Sequence, residues 1–421
     1  MKKPGEREHV NSEMREMVAG RALALAAVFL AAVIPTELAV ARTGANASTK
    51  FTVLHSFTGG KDGGQPSAGL VSDAAGNLYG TTEFGGDLSC NAPYGCGTVF
   101  KIDTEGQETV LHAFRWGADG AVPAGDLWLA SDGTLYGTTA YGGGSSNCKN
   151  GCGTVFKVGK TGKETVLYKF AGTDGSLPNG SLAQDKDGNL YGTTMWGGGH
   201  DGTGGGVAFK LDKVGKETTL HAFGEDTGDV DDPTGDVALD AQGNLYGTAW
   251  APAGTGGVWK INQANNETVL YPFTGGSDGG NPMGGVVLGK DGNLYGTGAW
   301  GGTYNRGVLF RVNQAGAEKV LYSFGAWPDD GTSPNAAPVL DSAGNLYGTT
   351  TTGGYANSGI VYKIDEAGKE TVLHSFEAEN DGGKLYGRVI RDSSGNVYGV
   401  TAAYGKYGQG VVFKISPKGA R

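Results

Sequence analysis

Six aromatic residues occupy nearly the same place in a recurring pattern of this 421-residue chain: Phe84, Tyr141, Trp196, Trp250, Trp300 and, one residue later in its unit, Tyr404. Thr352 stands there in the sixth unit. Rings with an apolar body and, in Tyr and Trp, a polar handle suit recognition surfaces. A set of them could form stacking platforms for sugar rings. The competing reading is that each ring covers the glycine loop beside it, since repeats repeat their packing residues. A second recurrence is Asp-Gly at Asp62, Asp119, Asp174, Asp278, Asp330 and Asp381, altered to Asp231-Asp232-Pro233 in the fourth copy. One aspartate per unit around an axis could hold Ca²⁺ through oxygen ligands. The alternative is a turn capped by each Asp, and like charges converging on one axis would repel.

One stretch departs from the pattern. Asp226, Asp229, Asp231 and Asp232, with Glu225, crowd between Gly224 and Gly235. A catalytic site should break the symmetry of a repeat, so this acidic loop is where carboxylate pairs for glycoside cleavage would be sought. Its plain alternative is a solvated surface loop. His55, His112, His221 and His374 share one position with Tyr168, Tyr271 and Tyr322. A place that takes His or Tyr equally reads as packing or hydrogen bonding, and no metal site is expected there. No G-x-S-x-G, H-E-x-x-H or phosphate loop is present.

The elements that carry these residues follow from the repeat. Asn77-Leu78-Tyr79-Gly80 returns at 134–137, 189–192, 244–247, 293–296, 345–348 and 396–399. Units of about 50 residues match a propeller blade rather than a helical solenoid. Each reads as four short strands, a to d, separated by Asp/Gly/Asn turns; in the first, a covers Gly69-Leu70-Val71, b begins at Leu78, c is Thr98–Ile102 and d runs from Glu108 to Phe114. The last unit stops after its c strand, Val411–Ile415, while Phe51–Phe57 is an orphan d strand near the start. The expected fold is therefore all-β: a closed seven-bladed β-propeller of four-stranded antiparallel blades over 51–421, with the N-terminal strand completing the last blade. The a–b and c–d turns share one face and look structural. The longer b–c and d–a loops share the other, and any function is expected there.

The unit, with G-L-V-x-D-x-x-G-N-L-Y-G-T-T, then G-T-V-F-K-I-D and G-x-E-T-V-L-H-S-F, resembles the Gloeo-Verruco (GloVer) tandem repeat of bacterial exported proteins. The resemblance covers about 51–415. It implies export and repetition more than an activity. Relatives often carry a C-terminal surface anchor; none is read at Lys418-Gly419-Ala420-Arg421, which points to release rather than attachment.

Composition agrees. Glycine makes up 79 of the 421 residues, against a usual share of roughly 7%, which argues against helices. A formal charge of −10 argues against nucleic acid as partner. Arg21, the apolar run Ala22–Ile34 and Ala39-Val40-Ala41 have the order of a secretory signal, giving 1–41 as signal peptide and 42–50 as a short linker. Met14 or Met17 could serve as the start in place of Met1. No membrane span is expected in the mature chain, and the location expected is secreted or periplasmic. Four cysteines in an exported chain favour disulfides, expected as Cys90–Cys96 and Cys148–Cys152, with a shared Zn²⁺ site as the rival. No cofactor is expected beyond the Ca²⁺ reading. The function expected is binding of a glycan or cell-envelope partner without catalysis; the alternative is a carbohydrate-active hydrolase or lyase.

Overall fold

The computed structural model describes residues 49–199, 204–224, 230–250 and 255–418. The signal-peptide segment, Asp226 and Asp229 lie outside these. Among the described residues seven four-stranded antiparallel sheets form the blades, each with its strands in the order a-b-c-d, and a small two-stranded ribbon pairs Gly331–Thr332 with Thr352–Gly353. In blade 1 these are Val71–Ser72, Leu78–Thr82, Thr98–Ile102 and Glu108–Ala113. Blades 2 to 6 follow over 128–169, 183–222, 231–272, 286–323 and 339–375. Blade 7 takes Ile390–Arg391, Val397–Thr401 and Val411–Pro417, and its fourth strand is Thr49–Ser56 from the other end of the chain. That strand pairs from Thr49↔Pro417 to Ser56↔Val411.

The repeated motif has a packing reason. In strand b, Gly80 lies flat against Phe100 of strand c: a Cβ there would sit 2.7 Å from Phe100 Cζ. The same clash would arise at Gly247 against Trp259 and Gly348 against Tyr362. The preceding turn is set by its aspartate. Asp73 accepts hydrogen bonds from the Asn77 amide and side chain and from the Tyr79 hydroxyl. Asp185, Asp240, Asp341 and Asp392 repeat this. The Asp-x-x-Gly-Asn-Leu-Tyr string is thus an Asx-type turn whose tyrosine clamps the capping carboxylate.

The core lies between blades. The aromatic after each d strand packs on the c-strand aromatic of the next blade: Phe57 on Phe100, Phe114 on Phe156, Phe170 on Phe209, Phe223 on Trp259, Phe273 on Phe310, Phe324 on Tyr362 and Phe376 on Phe413, at 4.9–5.2 Å between ring centroids. Seven blades with seven such seams leave no gap, so the ring is closed. The inner strands meet as closely: a Cβ on Gly125 would lie 2.4 Å from Gly180 O.

Candidate functional site

The b–c and d–a loops meet on one face, tied by bridges such as Gly64↔Phe84, Ala121↔Tyr141, Ser176↔Trp196 and Gly280↔Trp300. One equivalent residue, ahead of strand a in six blades and within it in blade 4, is left-handed in all seven, with φ of 51–61° at Gln65, Val122, Leu177, Asp232, Asn281, Ser333 and Lys384. Each amide there donates to a carbonyl in the b–c loop of the preceding blade, as Val122 does to Cys96 and Ser333 to Arg306. The backbone, not the side chain, makes this contact, which is why seven residue types share it.

The aromatic positions do not form a uniform ring. Phe84 is 9% exposed, against Tyr94. Tyr141 stacks on Trp116 at 6.0 Å, and Trp196 is half-buried. Trp250 belongs to strand b of blade 4, Leu245–Trp250, where it pairs with Asp231; it sits one residue earlier than its counterparts. Trp300 and Tyr404 are open, at 53% and 41% exposure. In blade 7 the bridge register falls to Ala403 instead. Exposed rings missed by the sequence reading join them: Tyr94, Tyr304, Trp327, Tyr355 and Tyr407. Tyr94 lies in the b–c loop of blade 1 and the others in the loops of blades 5, 6 and 7, so the open rings of the loops run over four consecutive blades and are densest on blades 5 to 7. Tyr304 and Trp327 flank an open groove of about 380 Å³ floored by Val320, Leu321 and Tyr322.

The Asp-Gly aspartates face their own loops and the d strands, the outer strands of the blades. Asp330 accepts from the Gly325 and Ala326 amides and Asp278 from the Thr274 amide. Tyr168, Tyr271 and Tyr322 donate to Asp174, Asp278 and Asp330. His55 and His112 stand 3.4 Å from Asp62 and Asp119, and His374 stands 3.0 Å from Asp381. Of the two readings of these aspartates, the structure has the capped turn and not a ring about the axis: the six Asp-Gly aspartates sit in their own loops, each beside the His or Tyr of its d strand. The fourth copy is corrected. Asp231 and Asp232 open strand a of blade 4, Asp231–Leu239, rather than forming a loop. Asp232 is buried and left-handed, and burial, with the nearby Asp231 charge, pushes its carboxyl up to about 7.

The break in symmetry lies on the axis. Aligned by the repeat, one position at the inner edge of the blades is occupied by Gly69, Asp126, Ser181, Asp236, Gly285, Ala337 and Arg388. Arg388 of blade 7 reaches Asp126 of blade 2 at 2.7 Å and Asp236 of blade 4 at 3.9 Å. Only a crossing of the axis allows those contacts. The Gly69 amide donates to Asp126, and the Ser181 amide to Asp236 at 3.2 Å. Burial and the Asp236 charge push Asp126 up to about 6, against the pull of Arg388. Gly69 must stay small, since a Cβ would sit 2.7 Å from Asp126 and 2.8 Å from Arg388. Aligning the seven units at the residue before the strand-a Leu or Val would have exposed this triad. The arrangement is a charge clasp, closed by its own partners. Among the described residues no group of His, Cys, Asp and Glu is built to hold a metal ion.

Both disulfides form as expected, Cys90–Cys96 and Cys148–Cys152, with Cα separations of 5.8 and 5.2 Å. Each ties its own b–c loop just before strand c. Among the described residues no helix is long and apolar enough to cross a membrane.

Solved structures share the architecture. The extracellular domain of a protein assigned as a hybrid two-component system of B. thetaiotaomicron aligns with TM-score 0.56 at 15% identity, over 89% of this chain and 42% of that one. The extracellular domain of a one-component system from B. thetaiotaomicron aligns with TM-score 0.51 at 10% identity, over 87% of this chain and 40% of that one. The chain thus spans about two fifths of these proteins, and at such identities the likeness is one of fold. No curated relative matches the sequence. The Gloeobacter/Verrucomicrobia repeat model matches residues 43–149, 91–276 and 251–421; with the repeated Asp-capped turn, the glycine-to-aromatic contact and the closed ring, this chain belongs to the Gloeobacter/Verrucomicrobia repeat family.

Proposed function

We propose that the protein is an exported binding propeller that holds a glycan, or a glycan-bearing component of the cell envelope, without turning it over. The observation that carries this reading is the run of solvent-facing aromatics on the b–c and d–a loops of blades 5 to 7, around the groove between Tyr304 and Trp327. Exposed apolar surface gathered on one side of a soluble fold marks a recognition site more often than chance, and Trp and Tyr dominate binding energy where they occur. Two disulfides and the apolar run Ala22–Ile34 support export. Asp174, Asp278 and Asp330 of the d–a loops are engaged with loop amides or d-strand tyrosines, and Asp126 and Asp236 with Arg388, which favours binding over cleavage at those carboxylates. A glycan array probed with the mature chain tests this, with product analysis on every retained glycan. Trp327→Ala and Trp300→Ala should abolish retention while changing stability by less than about 1 kcal/mol, as exposed substitutions do. Retention unchanged in both variants would refute the site, and cleaved product would replace binding with hydrolysis or elimination.

A further inference from the structure

Five of the seven seams between blades share one more contact. The glutamate that opens strand d of a blade leans on the Asp and the His or Tyr of the preceding blade. Glu108 faces Asp62, Glu164 faces Asp119, Glu217 faces Asp174, Glu318 faces Asp278 and Glu370 faces Asp330. In the best-defined seam the Tyr322 hydroxyl lies 3.1 Å from both Asp330 and Glu370. One Oε of Glu108, Glu164, Glu318 and Glu370 is buried without a hydrogen-bond partner. The seam that closes the ring differs. There Phe51 stands where the glutamate would be, stacked on His374 at 3.9 Å with rings 8° apart.

We propose that these five glutamate seams are a proton-operated cinch: protonated in mild acid they draw neighbouring blades together, and ionised they push them apart, while the Phe51 seam holds the chain ends closed in either state. Two half-buried carboxyls facing each other across an interface cannot both ionise cheaply. A shared proton removes the repulsion. The cause is the same in every copy: burial first, with the opposing aspartate of the preceding blade also disfavouring ionisation. These push Glu108 and Glu318 up to about 7 and Glu370 to about 8, and raise Glu164 and Glu217.

Other groups face the glutamates. His112 and Lys169 favour ionised Glu164, the Thr219 hydroxyl favours ionised Glu217, and Tyr322 and Trp327 favour ionised Glu370. Tyr168, Tyr271 and Tyr362 feel the charges of Glu217, Glu318 and Glu370 and stay neutral. His55 beside Asp62 works the other way: burial lowers it, so its uptake of a proton below its ordinary value costs stability. A carboxyl raised in the folded state stabilises fully below its unfolded value of about 4.5, and the gain is lost as pH rises through the folded value. The window of loss is therefore about pH 5 to 8.

The test is guanidinium unfolding of the mature protein from pH 5 to 9, beside a variant carrying E108Q, E164Q, E217Q, E318Q and E370Q. The midpoint of the native protein should fall steadily between pH 5 and 8. The variant should show a much flatter profile and exceed the native midpoint at pH 8. Carboxyl-carbon NMR of glutamate in the native protein, with E318Q alone as the assignment variant, keeps the question decidable if the fivefold variant does not fold. Parallel pH profiles, or a Glu318 resonance titrating near its ordinary value, would overturn the proposal.

Discussion

Replacing Phe51 probes ring closure directly, because this side chain belongs to the strand that joins the two ends of the chain. Phe51 pairs with Ile415 in the sheet. Its ring stacks on His374, meets Phe376 edge-on at 5.7 Å and lies 5.8 Å from Phe413. A fully buried Phe→Ala change costs about 3–5 kcal/mol. Phe51 is only half-buried, so roughly half of that transfer loss applies, and its aromatic contacts add about 0.5–1.5 kcal/mol. Phe51→Ala should therefore cost about 2–4 kcal/mol, read as a lower guanidinium midpoint at unchanged slope. Amide exchange should quicken in Val411–Pro417, the strand it covers, before it does in the c strand of blade 3, Val207–Leu211. Phe51→Glu should cost more, since it restores a carboxylate facing Asp381 where no glutamate stands now, and its cost should grow from pH 5 to 8. A loss under about 0.5 kcal/mol, or faster exchange spread evenly over all blades, would refute the view that this seam holds the ring shut.

Arg388→Met should destabilise by about 3–5 kcal/mol, because it leaves Asp126 and Asp236 facing each other across the axis; adding D126N and D236N should recover most of that in denaturant melts. Asp341→Ala should cost about 1 kcal/mol at neutral pH, as loss of a cap does, since Asp341 accepts from the Asn345 amide and side chain and from Tyr347. Burial raises that carboxyl, but the Asn345 and Ala343 hydrogen bonds and Tyr347 overcome it, leaving it below its ordinary value. Its contribution is thus present above about pH 4 and lost as pH falls further, so the native and Asp341→Ala proteins should converge in strong acid.

The blades were legible because their determinants are local. The Asp-to-Asn turn, the strand-b glycine and the c-strand aromatic lie within about 30 residues, and each recurs, so periodicity revealed them. Closure was legible for the same reason: Phe51–Phe57 nearly duplicates 371–376, and the strand it forms, Thr49–Ser56, begins two residues earlier than read. Exposure was harder. Trp196 and Trp300 hold the same place in their units and both precede Gly-Gly, yet one is half-buried and the other open, because their surroundings depend on loops that vary from blade to blade. The d–a loop aspartates were legible as turn caps, but their partners, the d-strand His and Tyr, were not, because the two were read separately.

The axial triad escaped notice for a physical reason that also explains its composition. A repeat delivers the same position seven times to one axis, where side chains converge with little water between them. Seven aspartates would repel, and seven large residues would not fit: at Gly285 a Cβ would lie 2.1 Å from Asp236 O. The chain meets both limits by keeping Gly69, Gly285 and Ala337 small and setting one guanidinium between two carboxylates. Each carboxylate also takes an amide from the preceding blade, Gly69 for Asp126 and Ser181 for Asp236. The residues that identify this site are therefore those that differ at a shared position, whereas a search for recurrence favours the ones that stay the same.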